Sequence, residues 1–206
     1  MAGLSRDVLY GRLSGFQIDV ARLREHYETV VMGQPATPYK DNEANYVGWA
    51  VTSRDGSLTD GVQRIDPKSG GVRGRKQTEI CSGALQETMA LLEARRLTPY
   101  RVRVMKLVND GAVMGCHTDS DKESWRLHIP IITNPHAFFE WKLPDGRIES
   151  VHLPADGSAW LVRVDVTHRA VNRSTEPSER VHLLMGLAEL PTLEQIGEPL
   201  LELVKA

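Results

Sequence analysis

The sequence is poor in cysteine, in excess charge of either sign and in long apolar runs. Its 206 residues include only two cysteines, Cys81 and Cys116, so a framework of several disulfides is excluded. One disulfide stays open, and two free thiols in a reducing compartment are expected. The 25 Lys and Arg nearly balance the 27 Asp and Glu, which gives no electrostatic basis for binding nucleic acid or an anionic membrane. No apolar run approaches the roughly 20 residues that a membrane-spanning helix needs.

The composition is that of a soluble globular protein, and the length fits one domain over 1–206 with room for a substantial core. The N-terminal segment carries Arg6, Asp7 and Arg12 among its apolar residues, which is not the pattern of a secretory signal. A cytoplasmic location is therefore expected. The sequence does not indicate an oligomeric state.

The first half of the chain, 1–100, reads mainly as helix and loop. Apolar residues recur at helical spacing over 18–32, with Asp19 as the predicted N-cap, and again over 82–95. Alternation over 46–52 predicts a strand with Trp49 on one face, and the Gly-rich, charged segment 60–76 predicts a loop.

The second half reads as a series of short strands with turn signals between them. The predicted strands cover 101–108, 112–117, 125–132, 138–143, 147–153, 159–166 and 180–187, and a helix is predicted over 192–205. The expected fold is mainly β with flanking helices, an α+β arrangement in which a double-stranded β-helix (a jelly roll, cupin-like) occupies 101–190.

The most informative motif is His117-Thr118-Asp119, followed about fifty residues later by His168. His117 and Asp119 are two residues apart, so on an extended segment their side chains point the same way. Two imidazoles and one carboxylate in this layout can occupy one face of a metal and leave the other open. This is the facial triad of the non-haem Fe(II) oxygenases.

Basic residues recur on the strands that follow these ligands. Arg126 and His128 share a face of one predicted strand, and Arg180 and His182 repeat the arrangement on another. An arginine on so apolar a strand is costly unless it meets an anion, and its planar fork can pair with both oxygens of a carboxylate. Arg180 is therefore a candidate for binding a dicarboxylate such as 2-oxoglutarate.

Taken together, these motifs resemble the aspartyl/asparaginyl β-hydroxylase superfamily, to which the bacterial free-proline cis-hydroxylases belong. The resemblance covers roughly 101–188 and weakly reaches the segment around Trp49. It implies a double-stranded β-helix, Fe(II), 2-oxoglutarate and O2. The stretches that carry the resemblance are His117-Thr118-Asp119, Arg126-Leu127-His128-Ile129-Pro130, Gly157-Ser158-Ala159-Trp160-Leu161, His168-Arg169-Ala170-Val171-Asn172 and Arg180-Val181-His182-Leu183.

Residue roles follow from the resemblance. His117, Asp119 and His168 match the iron ligands, which makes them the predicted catalytic centre. Arg180 matches the arginine that binds the distal carboxylate of 2-oxoglutarate, and His128 matches a histidine that contacts this cosubstrate. Arg126 matches an arginine that holds either the cosubstrate or a substrate carboxylate, and both roles stay open.

The chain departs from the animal protein hydroxylases of this superfamily. Those enzymes lack the carboxylate ligand that Asp119 supplies, so the pattern is nearer to the bacterial small-molecule enzymes. Lys106 stands where the animal enzymes have a small polar residue, and it is either a second cation for 2-oxoglutarate or a solvent-facing side chain. Ser124 replaces a substrate-binding arginine, which argues against a peptidyl-aspartate substrate.

The expected activity is 2-oxoglutarate-dependent hydroxylation of an unactivated C–H bond in an amino acid or amino-acid residue of the proline, aspartate or asparagine type. Trp49 and Arg126 are candidate substrate contacts. Three alternatives stay open at this point: a hydroxylase acting on a peptide or natural-product precursor, a non-catalytic metal-binding jelly-roll module, and a zinc hydrolase, since the same ligands bind Zn²⁺.

Overall fold

The computed structural model describes residues 8–39, 45–63, 74–108, 112–119, 124–189 and 201–202. Helix α1 spans Val20–His26 and continues as a π-helical turn over Tyr27–Val31, and α2 spans Gly83–Ala94. Asp19 caps α1, since its carboxylate accepts a hydrogen bond from the Arg22 amide at 3.1 Å. The helices predicted over 18–32 and 82–95 are confirmed. No helix of the described residues is long and apolar enough to cross a membrane.

The strands of the second half lie close to their predicted positions. Strand β8 matches the predicted bounds, and β6, β9 and β13 differ from them by one or two residues. The strands are β1 (Val8–Arg12), β2 (Thr37–Pro38), β3 (Tyr46–Ala50), β4 (Thr52–Ser53), β5 (Lys76–Gln77), β6 (Pro99–Val108), β7 (Ala112–Val113), β8 (Trp125–Ile132), β9 (Ala137–Lys142), β10 (Ile148–Val151), β11 (Trp160–Arg163), β12 (His168–Asn172), β13 (Glu179–Leu187) and β14 (Leu201–Glu202).

The strands form two antiparallel sheets that face each other as a double-stranded β-helix, the predicted fold. The large sheet has the order β14-β1-β11-β8-β13-β6-β3-β2, and the small sheet has the order β10-β9-β12-β7. Strands β4 and β5 pair separately. The late strand β13 lies in the middle of the large sheet, between β8 and β6.

The two faces of the large sheet have different partners. On the outer face, Leu23 of α1 and Leu85 of α2 pack with Val104 and Leu183 in one apolar cluster. On the inner face, a second and smaller cluster lies between the two sheets. Because side chains alternate along a strand, each side chain of β6 or β13 faces either the helices or the space between the sheets.

Two predictions about the first and last segments need correction. The helix predicted over 192–205 is wrong at 201–202, which form β14 and pair with β1, while 192–200 and 203–205 lie outside the described residues. The loop predicted over 60–76 ends in strand β5 at Lys76, and 64–73 are likewise outside the described residues. The first half also contributes β1, β2 and β3 to the large sheet, besides its helices.

Candidate metal centre and its cavity

Backbone hydrogen bonds bring the predicted metal ligands together from distant parts of the chain. The amide of His117 donates to the carbonyl of His168 at 3.1 Å, and the amide of His168 donates to the carbonyl of His117 at 2.8 Å. Two residues further on, the amide of Asp119 donates to the carbonyl of Val164 at 2.8 Å. These backbone hydrogen bonds fix the relative positions of both histidines.

Each imidazole is oriented by the carbonyl two residues before it. Nδ1 of His117 lies 2.9 Å from the oxygen of Gly115, and Nδ1 of His168 lies 2.8 Å from the oxygen of Val166. A carbonyl only accepts hydrogen bonds, so both Nδ1 atoms carry the proton and both Nε2 atoms present a lone pair. Contacts of this kind orient the histidines of metal sites.

Burial keeps one of these imidazoles neutral. His168 is 3% exposed, and burial together with the neighbouring His117 lowers its pKa to about 4. At neutral pH the ring is therefore uncharged, which is the form that binds a metal ion.

The two carboxylate oxygens of Asp119 have different surroundings. Oδ1 lies 3.7 Å from Nε2 of His117, and Oδ2 lies 3.2 Å from Nη2 of Arg126. One oxygen is thus held by a guanidinium while the other faces the histidines. The ligand atoms of His117, Asp119 and His168 all lie within 4.8 Å of one another, an arrangement that can hold one divalent ion.

The triad opens into a cavity between the two sheets, with about 420 Å³ of empty space that is partly continuous with solvent. Three buried arginines line the cavity: Arg103, Arg126 and Arg180. Asp119 is the carboxylate among the described lining residues, so the cavity carries an excess of positive charge that suits anionic ligands.

Arg180 reaches the cavity from β13 and is 2% exposed. Its Nη2 is buried and has no hydrogen-bond partner among the described residues. Burial lowers the pKa of Arg180 to about 10, so the guanidinium keeps its charge at neutral pH. A buried charged group without a partner is costly, and the position is therefore suited to a bound anion.

His128 lines the same cavity and rests on a second buried histidine. Nδ1 of His128 lies 3.3 Å from Nδ1 of His182, and both side chains are almost fully buried. Desolvation lowers the pKa of both imidazoles well below the usual value, so both are neutral. A hydrogen bond between two neutral rings needs one protonated and one unprotonated Nδ1, which couples their tautomers.

Two residues predicted at the site lie on the other face of the large sheet. Lys106 forms an ion pair with Glu179, and Trp49 is buried in the outer apolar cluster, where its Nε1 donates to the carbonyl of Gln34 at 2.9 Å. Neither lines the cavity. Both predictions are corrected by strand parity, because neighbouring residues of a strand face opposite sides.

The inward positions on these two strands belong instead to Tyr46 on β3 and Arg103 on β6. Sequence reasoning missed Arg103 as a site residue. The sequence did contain a signal, because Arg103 lies between Val102 and Val104. Burying an arginine there costs free energy unless it meets an anion, and this is the argument that indicated Arg180.

The two cysteines are both free, as predicted. Cys81 is buried and far from the triad in sequence. Cys116, directly before His117, is exposed, and it is not among the residues that line the cavity.

No family model matches the sequence, and no curated protein matches it. Several solved structures share its fold. An oxidoreductase of the 2OG-Fe(II) oxygenase family from Burkholderia pseudomallei is 15% identical, with a TM-score of 0.53, over 82% of this chain and 77% of that one. The non-heme alpha-ketoglutarate-dependent epimerase SnoN of nogalamycin biosynthesis is 14% identical, with a TM-score of 0.55, over 96% and 90%.

A third similar structure, HygX from Streptomyces hygroscopicus, was solved with nickel and 2-oxoglutarate bound. It is 10% identical, with a TM-score of 0.53, over 90% of this chain and 87% of that one. At such low identities the similarity establishes the double-stranded β-helix fold, and the chemistry of the site has to be argued from the residues of this chain.

Proposed function

We propose that the protein is an Fe(II)- and 2-oxoglutarate-dependent dioxygenase that hydroxylates an unactivated C–H bond of an amino acid or amino-acid residue. We also propose that it belongs to the aspartyl/asparaginyl β-hydroxylase superfamily. The observation that carries the proposal is the presence, in one cavity, of a two-histidine, one-carboxylate triad and a buried arginine whose Nη2 has no partner among the described residues.

The residues fit an iron ion. His117 and His168 each present an Nε2 lone pair, and Asp119 presents one carboxylate oxygen while Arg126 holds the other. These three residues would hold the ion and leave room on it for cosubstrate and O2, and they are the donor set of the non-haem iron oxygenases.

The residues also fit 2-oxoglutarate. Arg180 supplies a fixed cation for its distal carboxylate, and His128 supplies a ring nitrogen on the cavity wall. Bidentate pairing with a guanidinium both binds and orients a carboxylate. HygX, which shares the fold, binds 2-oxoglutarate, and its structure supports placing this cosubstrate in the equivalent cavity here.

Iron and 2-oxoglutarate, when bound, would supply the oxidising chemistry with O2. The chain's own contribution is position and exclusion of water. Arg126 orients Asp119, the carbonyls of Gly115 and Val166 orient the two histidines, and Arg180 fixes the far end of the cosubstrate. Apolar side chains complete the lining and keep the reacting region dry: Met114, Phe139, Val164, Ala170 and Leu184.

The test is anaerobic reconstitution with Fe(II) and 2-oxoglutarate, followed by the visible charge-transfer band of the chelate and then by O2-dependent succinate release. We expect the band in the wild-type protein, its loss in His168→Ala, and a much higher 2-oxoglutarate requirement in Arg180→Met. The exposed substitution Arg147→Met serves as the matched control.

A well-folded wild-type protein that shows no band would overturn the proposal. Binding of Zn²⁺ without any response to 2-oxoglutarate would favour a hydrolase, and metal binding without turnover would favour a non-catalytic module.

A further inference from the structure

We propose that Arg103 binds a carboxylate of the substrate, and that the substrate is a small molecule with a free carboxylate close to the carbon that reacts. This inference rests on the proposed function and deepens it by naming the substrate class. It distinguishes two kinds of substrate, a free amino acid and an internal residue of a peptide, because an internal residue has no free α-carboxylate.

The first observation is that Arg103 is a buried cation whose Nε is unsatisfied among the described residues. Its side chain lines the cavity and is 4% exposed, and its Nε has no hydrogen-bond partner among the described residues. No acidic side chain of the described part of the chain forms an ion pair with it. Because an unpaired buried guanidinium is costly, the position is built for a ligand that brings negative charge.

The second observation is that the neighbours of Arg103 are hydrogen-bond donors. Tyr39 and Tyr46 line the same cavity, with their ring centroids 5.3 Å apart in an edge-to-face arrangement. Burial raises the pKa of Tyr46, so its hydroxyl keeps its proton at neutral pH. A guanidinium flanked by phenol hydroxyls can bind both oxygens of a carboxylate.

The third observation separates Arg103 from the proposed cosubstrate site. Arg180 pairs across the sheet with Leu107, and Arg103 lies four residues further along β6. Four residues of a strand span about 13 Å, so the two arginines enter the cavity from different positions along the sheet. With Arg180 assigned to the cosubstrate, Arg103 is available for a second anion.

Arg103 is also the nearer of the two to the metal ligands. Both arginines interact electrostatically with Tyr46, and Arg103 also interacts with Arg126 and with the predicted metal ligand Asp119. Of the three cavity arginines, Arg126 already holds Asp119 and Arg180 is assigned to the cosubstrate. A carboxylate on Arg103 would lie in the same cavity as the metal ligands, so we place the reacting carbon close to that carboxylate.

The experiment uses the anaerobic complex of the full chain with Fe(II) and 2-oxoglutarate. It is titrated with L-proline, L-aspartate and L-asparagine, and with the same three amino acids after conversion of the α-carboxylate to a carboxamide. The readouts are the shift of the charge-transfer band and the melting temperature of the complex. The variants are Arg103→Met, Arg103→Lys and Arg180→Met, with Arg147→Met as the exposed control.

We expect at least one of the acids to shift the band, with its carboxamide about tenfold or more weaker. Arg103→Met should abolish this difference and leave the affinity for 2-oxoglutarate unchanged, Arg103→Lys should restore part of it, and Arg180→Met should weaken 2-oxoglutarate itself. Arg103→Met should fold well, because it removes an unpaired buried charge.

The inference is overturned if acids and carboxamides bind equally, if none of the three acids binds, if Arg103→Met still prefers the acids, or if Arg103→Met loses 2-oxoglutarate. Absence of the charge-transfer band in the wild-type protein is a separate outcome, since it overturns the proposed function.

Discussion

At the scale of single residues, the site depends on contacts that orient the metal ligands. Arg126 donates to Oδ2 of Asp119 and leaves Oδ1 for the ion. In the same way, the carbonyl oxygens of Gly115 and Val166 accept from Nδ1 of the two histidines and leave each Nε2 for the ion. Loss of such a supporting contact commonly lowers metal affinity by one to two orders of magnitude.

We expect Arg126→Met to weaken Mn²⁺ binding about 10- to 100-fold, because Asp119 loses the partner that fixes its orientation. Titration calorimetry or electron paramagnetic resonance of Mn²⁺ measures the change, and Arg147→Met on the surface is the control. Equal affinity in the two variants would show that Arg126 does not position Asp119.

The contact between His128 and His182 predicts a second positioning effect. If Nδ1 of His182 carries the proton, Nε2 of His128 carries one too and can donate to a bound carboxylate. We expect His182→Leu to weaken 2-oxoglutarate about tenfold through loss of this tautomer, with Mn²⁺ affinity unchanged. Nitrogen chemical shifts of His128 report the tautomer directly.

His152→Leu provides the control for that experiment, since His152 contacts the carbonyl of Ala137 and does not line the cavity. A protein in which His182→Leu changes neither the tautomer of His128 nor the affinity for 2-oxoglutarate would refute the coupling.

Sequence reasoning located some of these residues and not others. The triad, His128, Arg126 and Arg180 meet in one cavity as predicted, because their spacing reflects local strand geometry. The prediction for Lys106 failed because neighbouring residues of β6 face opposite sides of the sheet, and Lys106 faces away from the cavity. The supporting carbonyls and the pairing of His128 with His182 depend on backbone positions that no residue type reveals.

At the scale of elements, β13 is the strand on which the site most depends. It pairs with β8 on one side and β6 on the other, and it carries Arg180 and His182 inward. Near its end, Gly186 lies against the ring of Tyr100, where an added Cβ would come within 2.3 Å of a ring carbon. The close approach of these two strands therefore requires a glycine.

We expect Gly186→Ala to destabilise the protein by about 1–3 kcal/mol, since the tight packing on Tyr100 has to give way. Urea unfolding measures the loss. Gly33→Ala is the control, because a Cβ at Gly33 meets nothing closer than 3.5 Å. Equal stability of the two variants would mean that the sheet adjusts without cost.

Two of the elements that sequence reasoning missed, β1 and β14, are held by distant partners. Strand β8 shows a local apolar pattern and was placed at its observed bounds. Strands β1 and β14 pair with each other although they lie near opposite ends of the sequence. Both segments are too short to show a clear apolar pattern. Helical spacing over 192–205 suggested a helix, and at 201–202 the pairing with β1 decided otherwise.

At the scale of the whole molecule, buried neutral histidines make stability depend on pH. Desolvation lowers the pKa of His128, His168 and His182 in the folded protein, to about 4 for His168. Below the ordinary histidine pKa of about 6.5 the unfolded chain binds protons that the folded chain does not, so stability falls as the pH falls towards 4.

For His168 alone, the loss between pH 7.5 and pH 5.0 is about 2 kcal/mol. Urea unfolding of the metal-free protein at these two pH values measures the total loss. His168→Gln should flatten the profile, and the exposed substitution His136→Ala should not change it. A metal-free protein that is equally stable at both pH values would contradict the burial of neutral imidazoles.

The central position of β13 also bears on how the chain is made. Ribosomes deliver β6 and β8 well before Glu179–Leu187, so the nascent large sheet has a gap at its centre with two unpaired edges facing it. Those edges can recruit other chains until the missing strand inserts. Arg180 and His182 arrive on that inserting strand, so the cosubstrate pocket is completed by the same event that removes the risk of aggregation.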